Sequence, residues 1–550
     1  MAVTTGPSDT VFLRRASGVV RAMSPTDGMF YGYLSATGIY SYFLILFLGF
    51  ATFPRANFLA ANIITFILFF FVFGTYALLG STMPRSGGDY VFVSRVVHPL
   101  AGFVTSMAGW TLWQFFGCYF AASALINVVL RPGFDLIGVK TGQHFWITIS
   151  NDLSKWWVRL PLVVLLIVLA GWICVNGMRW YTNVQKYFMM PGAILGLVII
   201  AASLLIWNKN TFFSNFDKFQ GVVGGKSSGQ VEALAAKNGF NAHASTDWTD
   251  TVGMSVEFAY LYLWTMWSIE LFGEMKSARR VRTVFGMFTG SHVLMFITYL
   301  VGFTWAYYYV GTAWMKSFAY MALNNTDQLG GGWDFRGAAT FFYMPSLNLF
   351  LGIVLFLCFV GPASQSLFNT ILGSSRLMLA ASFDRLLPSW LGKVNSKGVP
   401  HVSIWLGVAL SAAVAATYEA WNNIGELLFW STFMTLIAMA FSMLAGVLLP
   451  YRMKSVYEVS PASQYKLFGA PLIVIIGTIS VVFIVGLDLA AGLMNSQFHL
   501  FQFSNPAARA GAITAGVVTL GSIIWYFVVV SRRKKEGINV AAAFREIPPD

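Results

Sequence analysis

Apolar residues along this chain run in long blocks. They follow neither the i, i+3, i+4 rhythm of a half-buried helix nor the alternation of a half-buried strand. A helix of about 20 residues crosses the ~30 Å hydrocarbon core of a bilayer. Twelve apolar blocks approach or exceed that length, at about 28–50, 56–80, 99–130, 158–177, 184–207, 252–273, 284–310, 341–375, 401–418, 425–450, 468–492 and 510–531. The third and eighth are long enough for a strongly tilted or bent helix. The pattern predicts an all-α polytopic membrane protein with 12 transmembrane helices.

One block breaks the pattern from within. The stretch 252–273 carries Glu257 and Glu270 and runs into Glu274 and a basic cluster, Lys276, Arg279, Arg280 and Arg282. Ionisable side chains in a membrane segment are costly and tend to be functional. The bland alternative is that both glutamates reach toward water near the ends. They stand thirteen residues apart, about 19.5 Å along a continuous helix, so each lies roughly 9–10 Å from the centre near Leu263. That leaves the uncharged middle, Trp264-Thr265-Met266-Trp267-Ser268, as the better candidate for contact with a ligand.

Composition narrows the class. The chain is 57% apolar and 10% charged, against about 25% charged in soluble domains. The net charge of +13 suits retention of Lys and Arg on the cytoplasmic side better than nucleic-acid binding. With the N-terminus inside, 23 of the 35 Lys and Arg residues fall in the inner set. Eight of the other 12 lie in the longer outer loops 131–159 and 208–250, and long loops count less. Both termini are therefore expected in the cytoplasm, with the cell membrane as the site. The first 27 residues are polar and hold Arg14, Arg15 and Arg21, unlike a cleavable signal peptide. Cys118, Cys174 and Cys358 all fall in apolar blocks, so no disulfide framework is expected. Loop 208–250, rich in Gly, Ser, Ala and Lys, reads as a mobile surface loop. No GxxxxGK[ST] argues against ATP hydrolysis. No HExxH, HxxxxD or His–Asp–Ser set argues against an enzyme.

The first block contains Ser35-Ala36-Thr37-Gly38, small and polar in mid-membrane. A helix interrupted there would free amides that suit a carboxylate and carbonyls that suit a cation. Tight packing of small residues explains the same stretch without a ligand. Gln114 in the third block could face a site or serve packing. His98 and His292 read as structural. Glu419 and Glu426 flank a short outer loop and read as solvated. The tail 532–537, RRKKEG, is a cytoplasmic stop signal that can touch anionic lipid.

Two stretches carry a resemblance. Residues 84–110 hold Pro84, Gly87, Gly88, Asp89 and Tyr90, then Pro99, Gly102, Phe103, Gly109 and Trp110. Residues 374–400 hold Ser375-Arg376, Asp384, Leu387-Pro388, Val394-Asn395, Gly398 and Pro400. Both resemble the amino acid–polyamine–organocation (APC) transporter superfamily. Gly32, Ala36, Thr37, Gly38, Ile39 and Tyr40 look like its glycine-rich motif, and Gly273-Glu274-Met275-Lys276 with Arg279-Arg280 looks like its exit from helix six.

The resemblance implies a leucine-transporter-type fold with helices 1–5 and 6–10 as inverted repeats and helices 1 and 6 broken. The chain then divides into a tail 1–27, a first repeat 28–207, an extracellular loop 208–251, a second repeat 252–450, helices 11–12 over 451–531 and a tail 532–550. It also implies an amino acid or amine substrate held by helix-one amides around Ala36, Thr37 and Gly38, next to Ser35, and by carbonyls of broken helix six, where this chain's own candidates are Trp264, Thr265, Trp267 and Ser268. The family's Gly-Phe-acid break in helix six aligns with Trp264-Thr265-Met266, so the glycine and the acid are both missing. The lysine that some members carry in helix five aligns with Gly192.

Na+ therefore stays open as a coupling ion, with Ser364 and Ser366 as hydroxyl ligands. Glu257 and Glu270 motivate coupling to H+ or a gate. No other cofactor or metal is indicated. The function expected is a secondary transporter, in symport or antiport. The alternative is a nutrient sensor or receptor that kept the fold and lost transport.

Overall fold

The computed structural model describes residues 19–544, apart from residues 37, 43, 207, 334–336, 421–424, 495–502 and 505. The principal helices are α1 (Pro25–Ser35), α2 (Phe58–Thr82), α3 (Gly88–Phe92), α4 (Pro99–Thr141), α5 (Trp156–Val175), α6 (Met178–Leu205), α7 (Lys209–Val223), α8 (Ser228–Lys237), α9 (Trp248–Tyr262), α10 (Val281–Asn324), α11 (Leu349–Phe383), α12 (His401–Ala420), α13 (Gly425–Arg452), α14 (Leu472–Met494) and α15 (Pro506–Lys535). The one strand pair among the described residues is a two-residue hairpin, Lys466–Leu467 with Ala470–Pro471.

Ten of these helices are long and apolar enough to cross a membrane. Each coincides with a block read from the sequence. The two blocks with no such helix are 28–50 and 252–273. Helix α1 starts firmly: Pro25 occupies the first turn, and Ser24 and Asp27 form a reciprocal capping box. It ends at Ser35. Gly38 then takes φ +47°, a left-handed value that favours glycine, and a 3-10 turn follows over Gly38–Ser41. Helix α9 is capped by Asp247. After Tyr262 the chain tightens into a 3-10 segment, Leu263–Glu270, and a further 3-10 turn, Phe272–Glu274.

The two interrupted stretches cross at close range. A Cβ on Gly32 would lie 2.1 Å from the Thr265 carbonyl oxygen and 2.7 Å from the Ser291 hydroxyl oxygen. Only glycine permits that approach. Below the crossing, the strand-like residue Met23 bridges Met275 in parallel, with Met23 N donating to the Glu274 carbonyl and Lys276 N donating to the Met23 carbonyl.

Two expectations need correction. The 208–250 loop is not a structureless surface segment: it contains α7 and α8. Phe212 and Phe216 of α7 sit in an aromatic cluster with Trp314, Phe318, Trp333 and Phe341, and this burial holds the segment down. The eighth block was also placed too early. Helix α11 runs on to Phe383 because Arg376, read as a loop cation, is wholly buried and paired.

The outer helices expose apolar surface that soluble proteins avoid. Leu165 and Trp172 on α5, Val198 and Leu205 on α6, and Ile513, Val517 and Ile524 on α15 are all exposed. This is the surface of a multi-pass membrane protein.

Candidate functional site

The 3-10 segment organises the site. In a 3-10 helix, side chains at i and i+3 eclipse, which brings Trp264 and Trp267 onto one side with ring centroids 5.3 Å apart. Trp110 of α4 completes the group, 4.5 Å from Trp267 and 6.4 Å from Trp264. Trp110 lies in a π-helical stretch, Thr105–Thr111; such bulges are frequent at functional sites. Trp267 is fixed from the other side. Its indole N–H donates to the Asn369 carbonyl at 3.2 Å, and its ring lies over Gly373, where a Cβ would come within 2.6 Å.

The polar atoms beside these rings are more telling. Gln114, one turn beyond Trp110, is 1% exposed, and neither its amide oxygen nor its amide nitrogen has a hydrogen-bond partner. The Ser268 hydroxyl and the Trp110 indole N–H are likewise buried without partners. Buried polar groups are nearly always satisfied, and an unsatisfied one costs about 1–3 kcal/mol. Three in one aromatic neighbourhood mark a place where an occupant can supply the missing bonds.

A chain of hydrogen bonds joins this neighbourhood to the start of α1. The Asn369 side-chain oxygen accepts from Gln365 at 2.6 Å, and the same Gln365 amide donates to the Tyr181 hydroxyl at 2.6 Å. Tyr181 donates to Gln185 at 2.8 Å, and Gln185 donates to the Asp27 carbonyl at 2.9 Å.

The end that carries the basic 276–282 cluster is closed by two buried ion pairs. Arg376 meets Glu274 in two bonds, 2.6 and 3.0 Å. Arg95 meets Asp384 at 2.6 and 2.8 Å, and Tyr90 donates to the same carboxylate at 2.8 Å. At the other end of the bundle Arg159 grips Glu419 through two bonds, 2.6 and 2.7 Å, with Tyr119 on the same carboxylate. Glu419 is thus buried and paired, not solvated as its place beside a short loop suggested.

The residues expected to form the site separate into groups. Trp264 and Trp267 form the aromatic cluster with Trp110, while Ser268 follows Trp267 in the chain and Gln114 lies one turn beyond Trp110. Thr265 is buried, with its hydroxyl on the Tyr262 carbonyl and its own carbonyl against Gly32. Ser35 turns its hydroxyl back to the Tyr31 carbonyl. Ala36 is buried and caps α1, and Gly38 supplies the left-handed turn. Thr37 lies outside the described residues.

Ser364 donates to the Val360 carbonyl of its own helix, and Ser366 is half-buried one turn from Thr370. Glu257 is buried in α9, and Glu270 is buried at the last position of the 3-10 segment. His98 caps α4 through its ring, and His292 bonds the Phe66 carbonyl among aromatic rings. Both are structural. Among the described residues, no group of three His, Cys, Asp or Glu side chains could hold a metal.

Sequence reasoning missed Trp110, Asn369 and Tyr181 as neighbours of the site. The spacing of Trp110 and Gln114, four apart and hence on one helical face, was the available signal for the first. Nothing local pointed to the others.

Known proteins resemble this chain in sequence and in fold. Part of the chain is 30% identical over 131 residues to the human Asc-type amino acid transporter 1, covering 24% of this chain and 22% of that protein. Another match, 29% identical over 150 residues, is to the Large neutral amino acids transporter small subunit 2 of Oryctolagus cuniculus, covering 26% of this chain and 25% of that protein. The chain therefore spans about a quarter of the length of these curated relatives. Its fold is similar to that of MhsT, solved in complex with L-phenylalanine, with a TM-score of 0.54, 14% identity, and coverage of 84% of this chain and 98% of that one. A family model described as Amino acid permease matches residues 28–530. A match over nearly the whole length, on a helical bundle with an aromatic, polar-lined centre, leads to one conclusion: the chain belongs to the amino acid permease family.

Proposed function

We propose that this protein is a secondary active transporter that moves amino acids or related amines across the cell membrane by alternating access. In this reading twelve helices cross the bilayer with both termini in the cytoplasm. Helices 1–5 (28–207) and 6–10 (252–450) form inverted repeats, and the first and sixth helices are interrupted near mid-membrane. The substrate carboxylate meets the Ala36–Gly38 backbone, where the α-helix gives way. Its side chain lies among Trp110, Trp264 and Trp267, and Gln114 and Ser268 supply polar contacts. The energy comes from a proton gradient acting through Glu257 or Glu270, a sodium gradient acting through Ser364 and Ser366, or exchange against a second solute.

The observation that carries this reading is the set of buried, unpartnered polar atoms of Gln114, Ser268 and Trp110 around a three-tryptophan cluster. Such a set suits an occupant that is apolar at one end and polar at the other. A large neutral amino acid fits that description. The matched relatives and the phenylalanine-bound neighbour support the same class.

Uptake by proteoliposomes of a labelled amino acid panel, under imposed H+ and Na+ gradients separately, tests it. We expect uptake of large apolar amino acids with one gradient or by exchange. Absence of flux for every amino acid and amine, with or without a gradient, would sink the reading.

A further inference from the structure

Glu270 is wholly buried, and neither carboxyl oxygen has a hydrogen-bond partner. Asp89, second residue of α3 and also buried, is brought beside it, because Gly87 N donates to the Glu270 carbonyl at 2.9 Å and Gly88 packs on the Ile269 carbonyl, and the two carboxyl groups interact directly. One Asp89 oxygen accepts from the Tyr76 hydroxyl at 2.8 Å and from the Ser442 hydroxyl; the other has no partner. The amides of Gly88 and Asp89 stand near Glu270 without reaching hydrogen-bond geometry.

The surrounding elements bring no counter-charge. From α1, the Tyr31 hydroxyl is buried without a partner. From α2 comes Tyr76, whose hydroxyl bonds Asp89, and α10 turns His292 to the Phe66 carbonyl instead of to the pair. From α11 comes Arg376, whose two bonds go to Glu274. Among the described residues, neither Asp89 nor Glu270 has an ion pair.

Two carboxylates in contact, shielded from water and unmatched by a cation, cannot both stay ionised. We propose that Asp89 and Glu270 form a proton-binding site that holds one proton between them, and that this proton latches the basic end of the bundle shut. The seam the pair lies on is a backbone one. Gly87 N donates to the Glu270 carbonyl at 2.9 Å, Ser86 bridges Leu271, and a Cβ on Gly88 would lie 2.7 Å from the Ile269 carbonyl oxygen. With the proton present, the turn before α3 stays docked on the end of the 3-10 segment. With the proton lost, two negative charges face each other across that seam and prise it open. The proton's use in driving substrate movement rests on the transport reading. Its binding and the latch do not.

The test places a reporter in the seam. In a Ser86→Cys variant the native Cys118, Cys174 and Cys358 stay buried, so a small maleimide reports on the new thiol, compared at each pH with a free thiol standard. We expect labelling of the reconstituted protein to accelerate about tenfold between about pH 5 and about pH 9 beyond the standard. Adding Asp89→Asn and Glu270→Gln should make it slow and flat with pH. Infrared spectra should show a protonated-carboxyl C=O band at neutral pH that both substitutions together remove.

Labelling that is flat with pH without these two substitutions, or a pH response that survives them, overturns the proposal. So does a missing carboxyl band. If the double variant fails to fold, Glu270→Gln alone, which keeps the shape, gives the same comparison. Amino acid flux is measured separately. Absent flux with the band and the pH response intact defeats only the transport reading, and flux without them defeats only the latch.

Discussion

Gln114 presents two buried polar atoms to no protein partner, and that makes its removal informative. Gln114→Leu takes away a group that no protein atom satisfies. Thermal stability should hold or rise, while affinity for the preferred amino acid falls about 5- to 150-fold, the loss expected for about 1–3 kcal/mol of hydrogen bonding. Paired melting and binding measurements check this; a lower melting temperature with unchanged affinity would give Gln114 to packing. Arg376 is under the opposite constraint. Arg376→Met leaves Glu274 buried and uncompensated, which should destabilise the fold by about 3–5 kcal/mol. Adding Glu274→Gln should recover part of that loss, because the two positions are directly coupled. At this scale the sequence is legible where chemistry is local. The Trp264–Trp267 pair and the small residues before Gly38 are visible in it. Glu419 is not: an acid beside a short loop looks solvated, and its partner Arg159 lies 260 residues away. Trp110 stands 157 positions from Trp267, and only the folded bundle brings them together.

The end of α1 follows from its own residues, a run of small side chains and a left-handed glycine. The 3-10 segment after α9 does not. Leu263–Glu270 contains neither glycine nor proline, so nothing in it forbids an α-helix. Its tighter winding accompanies contacts from elsewhere: Thr265 against Gly32, Trp267 on Asn369, and the turn before α3 on Glu270. Glycine at position 32 is what allows the first of these. Gly32→Ala would drive a methyl into the Thr265 carbonyl, and backbone on one side or the other must shift. Amino acid uptake should fall at least tenfold at matched expression, while Gly516→Ala, on a glycine with open space around it, should leave uptake unchanged. Equal uptake in the two variants would show that the crossing is not needed for function. Helix ends were the least legible feature. Helix α11 overruns its apolar block because Arg376 finds its counter-charge inside, and hydropathy alone has no way to register a paired cation.

The molecule as a whole was the most legible of the three scales. Its class and the positions of ten long spans follow from block length, because a bilayer leaves helices few alternatives; the two exceptional stretches stand out by the polar residues inside them. The distribution of Lys and Arg predicts an orientation that can be tested directly. A Cys at Lys535 should react with an impermeant maleimide only after the cells are opened, and a Cys at Ala236 should react in intact cells. The reverse pattern would invert the topology. One feature of the basic end has a mechanical consequence. Met23 and Met275 are zipped together by backbone bonds, so the feet of α1 and of the segment after α9 share a hinge. Two rods joined at the foot lose the freedom to swing independently. Distance probes placed on each should therefore switch in the same step of a single-molecule trace, and the basic end should move as one leaf.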